Sequence, residues 1–160
     1  MTDDELTVGD HRFRVTRARR DDVPALVALL RDDPIGSTRE GSDLAPYLRA
    51  FEAIDADPAH LLVAVRDEVD AVVGTMQLTL LPGLSRAAAT RLQIEGVRVA
   101  PPTQGSGLGS ALLRWAEDYG RSRGARLAQL TTDKRRTDAH RFYERLGYVA
   151  SHEGMKRSLD

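Results

Sequence analysis

Glycines at 105, 107 and 109 follow paired prolines in the run Val97-Arg98-Val99-Ala100-Pro101-Pro102-Thr103-Gln104-Gly105-Ser106-Gly107-Leu108-Gly109, where a strand-like stretch breaks and re-enters a helix. A turn of this kind can cradle a phosphate. Glycine lets the main chain come close to a ligand, and the first helical turn offers unpaired N–H groups at the positive end of its dipole. Two nucleotide-binding patterns fail on details. A Walker-type loop ends in Gly-Lys-Ser/Thr, and Gly109-Ser110-Ala111 carries no lysine. A dinucleotide fingerprint needs G-x-G-x-x-G after an early parallel strand, whereas these glycines alternate and follow a meander. A glycine-rich turn with no ligand stays open on the loop alone.

The surrounding pattern specifies what must hold that loop. Residues 1–10 are polar and expected to be a flexible tail, and 13–18 alternates as a half-buried strand. Asp21 or Asp22 can cap a helix with Pro24 in its first turn. Its apolar set, Val23, Leu26, Val27, Leu29 and Leu30, recurs at helical spacing until Asp32-Asp33-Pro34 stops it. A breaker-rich loop over 34–42 separates it from a second helix over 43–54, and loops of this kind often meet substrates. Residues 61–65 and 71–80 then read as a hairpin, and 89–99 returns beside it after Pro82-Gly83. The helix after the glycines keeps Leu108, Leu112, Trp115 and Tyr119 on one stripe and ends near Gly124. A strand over 126–132, a helix over 138–146 capped by Gly147, and tail strands over 148–151 and 155–159 complete the chain. The order β-α-α-β-β-β-α-β-α-β-β predicts an α+β fold, one domain over 11–160. Its antiparallel sheet gains a strand through a β-α-β crossover that contains the glycine loop.

Composition narrows the classes of function. The 160 residues include no cysteine, which excludes disulfides, thiolate metal sites and a thiol nucleophile. No apolar run approaches the roughly 20 residues of a membrane span. The acidic opening Met1-Thr2-Asp3-Asp4-Glu5 is unlike a secretion signal, so the expected location is cytoplasmic, with no membrane partner. Net charge is −1, yet residues 1–60 hold 8 Lys/Arg against 13 Asp/Glu, and residues 121–160 hold 10 against 5. The electropositive final quarter suits a solvated helix surface or a field favouring an anionic cofactor. It lacks basic–aromatic interleaving and any groove or single-strand motif, so no nucleic acid is expected as partner.

Two motifs in order carry a family resemblance. Gln104-Gly105-Ser106-Gly107-Leu108-Gly109 resembles the Gln/Arg-x-x-Gly-x-Gly/Ala signature of the GNAT superfamily of N-acetyltransferases. Ala139-His140-Arg141-Phe142-Tyr143-Glu144-Arg145-Leu146-Gly147-Tyr148 resembles its later Ala-x-x-Phe-Tyr-Glu-x-Leu-Gly-Phe/Tyr motif. The strand order is similar to that fold over 13–159. Within the superfamily, Trp115-Ala116-Glu117 and the run from Thr132 through Asp133-Lys134-Arg135-Arg136-Thr137-Asp138 to Tyr143 most resemble the aminoalkylphosphonate N-acetyltransferase branch.

The resemblance implies a GNAT-type acyl-CoA N-acyltransferase fold, a mixed, mostly antiparallel sheet flanked by helices. It implies acetyl-CoA as co-substrate, a primary amine as acceptor and direct transfer. It places the pyrophosphate on the N–H groups of Gln104, Gly105, Ser106, Gly107, Leu108, Gly109 and Ser110. The pantetheine amides then lie along the strand edge at Val97, Arg98 and Val99, one of whose N–H groups would polarise the thioester carbonyl. Ala139 joins the cofactor contacts, and Arg136 stands where many relatives carry an Asn. Tyr143 matches the acid that protonates the CoA sulfur.

Direct attack needs a neutral amine and hence a base. Glu95, on the cofactor strand, is the candidate. Some relatives place the glutamate two residues earlier, where this chain has Gln93, on the same strand face as Glu95. His140 reads as a helix-surface residue. The four histidines, His11, His60, His140 and His152, show no ligand spacing, so no metal site is named, although some enzymes of the phosphonate branch use a divalent metal. The expected acceptor is a small amine: an aminoalkylphosphonate, amino acid, polyamine or antibiotic amine. Acidic groups near Glu40 and Asp43, in and just after the loop, would favour a cationic acceptor. A protein acceptor and a non-catalytic acyl-CoA-binding module are the alternatives, and many relatives are homodimers.

Overall fold

The computed structural model describes residues 3–160, so the first two positions of the expected tail lie outside the described residues. In chain order the elements are β1 (Asp3–Val8), β2 (His11–Arg17), a 3-10 turn (Arg20–Asp22), α1 (Val23–Arg31), the one-turn α2 (Gly36–Arg39), α3 (Ala45–Ala56), β3 (His60–Arg66), β4 (Val72–Leu81), the one-turn α4 (Ser85–Ala88), β5 (Thr90–Val99), a second 3-10 turn (Pro101–Thr103), α5 (Leu108–Ser122), β6 (Ala125–Leu130) and α6 (Thr137–Arg145). These residues form two compact units, one ending at Gln129 and one over Leu130–Asp160.

The first unit is a sheet with helices on both faces. Its strand order is β1-β2-β3-β4-β5-β6, and the pairs from β1 to β5 are all antiparallel. Register decides which face each side chain joins. Val15 lies opposite Val65, Val63 opposite Met76, and Leu78 opposite both Leu61 and Ile94, so these residues share one buried face. α5 covers it with Leu108, Leu112, Leu113 and Ala116, all fully buried. Helix and strand touch closely at Gly120, where a Cβ would stand 2.9 Å from Leu92 Cδ2. The other face carries Leu62 and Ala64 and packs against Val23, Leu26 and Val27 of α1 and Phe51 of α3. Beneath α1, the carboxylate of Asp22 meets Arg66 Nη2 at 2.6 Å and accepts the Arg19 N–H at 2.8 Å, with both charged side chains about nine-tenths buried.

Residues 3–8 are not the expected loose tail. Asp3–Val8 pairs with β2, Leu6 opposite Phe13, across the tight Gly9-Asp10 loop in which Gly9 takes φ 59°. An outer strand buries little, so polar composition concealed it; ladder hydrogen bonds specify it instead. It is also tied to α5. Trp115 Nε1–H donates to Asp4 Oδ2 at 2.8 Å, and the indole stacks on Tyr119 with centroids 5.8 Å apart. Arg123 lies over the other end of that pair, 5.2 Å from the Tyr119 centroid.

One connection is distinctive, and one further expectation changes. The 82–89 connection contains a left-handed turn on residues other than glycine, with Arg86, Ala87 and Ala88 at φ 55°, 54° and 57°. The tail strands over 148–151 and 155–159 are not formed: no strand follows α6, the Ser151 N–H turns back to the Val149 carbonyl at 2.9 Å, and Val149, Met155 and Leu159 are exposed. Alternation alone does not make a strand, because each N–H and C=O needs a partner in a ladder.

In the second unit, α6 follows a turn in which the Arg136 N–H donates to the Asp133 carbonyl at 2.9 Å. Its apolar residues, Ala139, Phe142, Tyr143 and Leu146, lie half-buried on one stripe. Lys134 Nζ pairs with Glu153 at 2.9 Å, which holds the Glu153 carboxyl below and the Lys134 ammonium above their ordinary values. Among the described residues no helix is long and apolar enough to cross a membrane.

Candidate active site

β5 is broken by one extra residue at the position where chemistry was expected. Gln77 pairs with Glu95 and Thr75 with Arg98, so Met76 alone opposes Gly96 and Val97. Gly96 takes φ 59°, a conformation open to glycine and disfavoured for residues with a Cβ. Such a bulge bends the strand and increases its twist, which re-aims whatever follows. Before the bulge, Leu92 and Ile94 are buried under α5, while Gln93 and Glu95 point to the opposite face.

These two residues differ in what they can do. The Gln93 amide oxygen accepts a hydrogen bond from Gln129 Nε2 at 2.7 Å, so this side chain is committed to the neighbouring strand. The Glu95 carboxylate is exposed, immediately before the bulge. A carboxylate placed there can act as base toward a group bound at the surface.

The glycine loop follows directly. After β5, the Ala100 N–H closes onto the Val73 carbonyl at 2.8 Å, and the prolines start the 3-10 turn. Gln104 Nε2 donates back to the Val99 carbonyl at 3.1 Å, tying the loop to the end of the strand. Gly105 and Gly107 both adopt left-handed conformations, φ 78° and 95°, the second as N-cap of α5. Ser106 Oγ takes the Leu108 N–H at 3.3 Å; the Gly109 and Ser110 N–H groups have no hydrogen-bond partner among the described residues. Val8 flanks the cradle: a Cβ on Gly107 would lie 3.4 Å from its Cγ1. Helix amides directed outward beside small residues are the donor set a pyrophosphate takes. The loop therefore offers donors that fit a diphosphate.

Arg98 does something its sequence position did not reveal. Its Nη1 donates to the Val97 carbonyl at 2.7 Å, and its Nε lies 3.2 Å from Asp33 Oδ2. The other Asp33 oxygen accepts the N–H groups of Ile35 at 2.9 Å and Gly36 at 2.7 Å, where α2 begins. Asp33 had read only as part of a helix stop. The far end of the loop is held by Tyr47, whose hydroxyl donates to Glu40 Oε2 at 2.7 Å and accepts the Gly41 N–H at 2.8 Å. The Glu40 carboxylate keeps the Tyr47 phenol above its ordinary value, and burial adds to the shift.

The second unit holds the other expected residues. Tyr143 is half-buried on α6, edge-on to Phe142 at 5.1 Å and to Tyr148 at 5.9 Å between centroids. Arg136 is the N-cap of α6, and Ala139 lies in its first turn. A ring nitrogen of His140 lies 3.1 Å from the Asp133 carbonyl, which ties the helix to the preceding turn.

Comparison with known proteins agrees with this geometry. Residues 12–148 match the model of the acetyltransferase (GNAT) family. The aminoalkylphosphonate N-acetyltransferase of Salmonella typhimurium is 38% identical over 118 residues, covering 73% of this chain and 75% of that protein. The streptothricin acetyltransferase of Streptomyces lavendulae is 33% identical over 129 residues, 80% of this chain and 61% of that one. A crystal structure described as a transcriptional regulator from Bacillus halodurans C-125 superposes with a TM-score of 0.87 at 39% identity, covering 92% of this chain and 99% of that one. With the family match spanning most of the residues that build the sheet, the bulge and the cradle, the chain belongs to the GNAT family and is an acetyl-CoA-dependent N-acetyltransferase.

Proposed function

We propose that this enzyme acetylates the primary amine of a small molecule, with Glu95 as the base and Tyr143 as the acid. The observation that carries the reading is the continuous run of Glu95, the Gly96 bulge and the open amides at the start of α5. It sets a carboxylate and an anion cradle on either side of a bent strand segment. In this reading residues 11–160 act as one N-acetyltransferase domain, cytoplasmic and homodimeric.

Bound acetyl-CoA supplies an acyl group on a thioester, so the chain needs no nucleophile of its own, in keeping with a sequence that has no cysteine. The amides of 104–110 hold the diphosphate, and the strand edge at 97–99 receives the pantetheine amides and polarises the thioester carbonyl. Arg136 and Ala139 complete the cofactor contacts. Glu95 takes the proton that the amine nitrogen must lose as the N–C bond forms. Tyr143 gives its phenolic proton to the sulfur as the C–S bond breaks. Each transfer contributes roughly 10²–10⁴-fold where it operates.

The names of two relatives support a small acceptor, an aminoalkylphosphonate in one and streptothricin in the other. The amine lies within that range: an aminoalkylphosphonate, amino acid, polyamine or antibiotic amine. The test is thiol release from acetyl-CoA across a panel of these amines, with and without a divalent metal and a chelator. Turnover with at least one of them is expected; CoA binding with no turnover for any amine overturns the reading. That outcome would favour a non-catalytic acyl-CoA-binding module; the Bacillus halodurans protein, for its part, is described only as a transcriptional regulator.

A further inference from the structure

We propose that Asp33 and Arg98 form a positioning pair, coupling the loop over 34–42 to the β5 segment that follows the bulge, so that donor binding orders the acceptor side. The proposal rests on the reading above, in which this segment holds the donor and this loop meets the amine.

Arg98 is linked to both partners. One guanidinium nitrogen holds the Val97 carbonyl at 2.7 Å, and another lies 3.2 Å from Asp33 Oδ2. A planar guanidinium fixes the two relative to each other, since its donors lie in a rigid fork. Asp33 is linked twice as well, its second oxygen accepting the two amides that open α2, at 2.9 Å and 2.7 Å. A displacement of residues 97–98 is therefore passed to Ile35 and Gly36 through this ion pair. With the Arg98 and Asp33 side chains only 26% and 17% exposed, water screens the pair weakly.

The surroundings leave little slack. Gly36 sits so tightly against the end of α1 that a Cβ would lie 2.0 Å from the Leu30 carbonyl oxygen. The Leu30 side chain in turn reaches the bulge, its Cδ2 3.7 Å from where a Cβ on Gly96 would stand. The end of α1, the start of the loop and the bulge thus form one packed corner beside Glu95. Close packing transmits small shifts because it has no free volume to absorb them. Tyr47, through Glu40 and Gly41, anchors the loop at its other end, so movement is directed to the Asp33 side.

Asp33→Asn, Arg98→Lys and the double variant provide the test. Asp33→Asn keeps an acceptor for the two amides and removes the charge that Arg98 needs. Each single variant is expected to lower kcat/KM for the amine on the order of 10-fold, a loss typical of slight misplacement, with a smaller change in CoA affinity. The double variant should lose no more than the weaker single one. Additive losses, or equal losses for amine and CoA, overturn the pair. A second arm needs no substitution: in the wild-type protein, saturating CoA should slow hydrogen exchange at the Ile35 and Gly36 amides. CoA binding shown by calorimetry with unchanged exchange refutes the coupling alone. Slowed exchange without turnover of any amine refutes the proposed activity and leaves the coupling standing, and absence of CoA binding refutes both.

Discussion

Glu95 is opposite Gln77 in the β4–β5 ladder, the last regular pair before the strand bulges at Gly96. A base placed there is carried by a fixed strand, while the residues just past it are free to take a different course. Glu95→Gln keeps size and hydrogen bonding and removes basicity. Its kcat/KM should fall roughly 10²-fold or more at neutral pH, with CoA affinity unchanged. Calorimetry with CoA beside steady-state kinetics checks this, and a loss smaller than about threefold would remove Glu95 from its role.

Tyr143→Phe retains the ring packing against Phe142 and Tyr148 and deletes only the hydroxyl. Turnover should fall roughly 10²-fold, and thermal stability should stay within about 1 kcal/mol of wild type. A preserved rate would mean that another group, or water, protonates the sulfur.

Gly107→Ala places a Cβ on a residue at φ 95°, against Val8 at 3.4 Å. Left-handed backbone costs a residue with a Cβ about 1–2 kcal/mol. Chemical denaturation should show that loss, and CoA should bind more weakly because the amides of α5 shift. Unchanged affinity would argue against the cradle.

Asp22→Asn takes the 2.6 Å carboxylate partner from the Arg66 guanidinium, about nine-tenths buried, and leaves it the longer 3.9 Å contact with the exposed Asp70 carboxylate. Breaking a buried pair by removing one partner costs about 3–5 kcal/mol. The effect should appear as a lower denaturation midpoint, with kcat and both KM values little altered at a temperature where the variant is folded.

The Glu40–Tyr47 contact predicts a pH dependence. The phenol is raised above its ordinary 10.0, so the folded state favours its protonated form. The stabilisation is complete below that ordinary value and disappears as pH rises through the higher folded one. Ultraviolet titration of wild type minus Tyr47→Phe should show a phenol ionising above 10.0, and exchange at the Gly41 amide should quicken over the same range.

Periodicity and glycine spacing made much of this fold legible. The stripe from Leu108 to Tyr119 needed helix α5, and the alternation over 61–65 and 71–80 needed a hairpin, because one face of each had to be buried. Gly96 carried a readable signal, since an isolated glycine inside a strand pattern marks a bulge. Partnership was harder to read. Asp33 and Arg98 are 65 positions apart, and nothing local in either sequence context announces the other. β1 was concealed for the same reason, because its stability comes from a ladder with β2 that polar composition does not record. At the C-terminal end the error runs the other way: alternation suggested strands over 148–151 and 155–159 where no ladder forms.

Trp115 is the single tryptophan of the chain, stacked on Tyr119 and hydrogen-bonded to Asp4. The enzyme thus contains its own optical label, placed on the helix that opens at the glycine loop and touching the strand whose last residue, Val8, flanks Gly107. Its emission reads the attachment of β1 to α5 without any added dye, and release of the Asp4 contact would move the indole into water and shift that emission to the red.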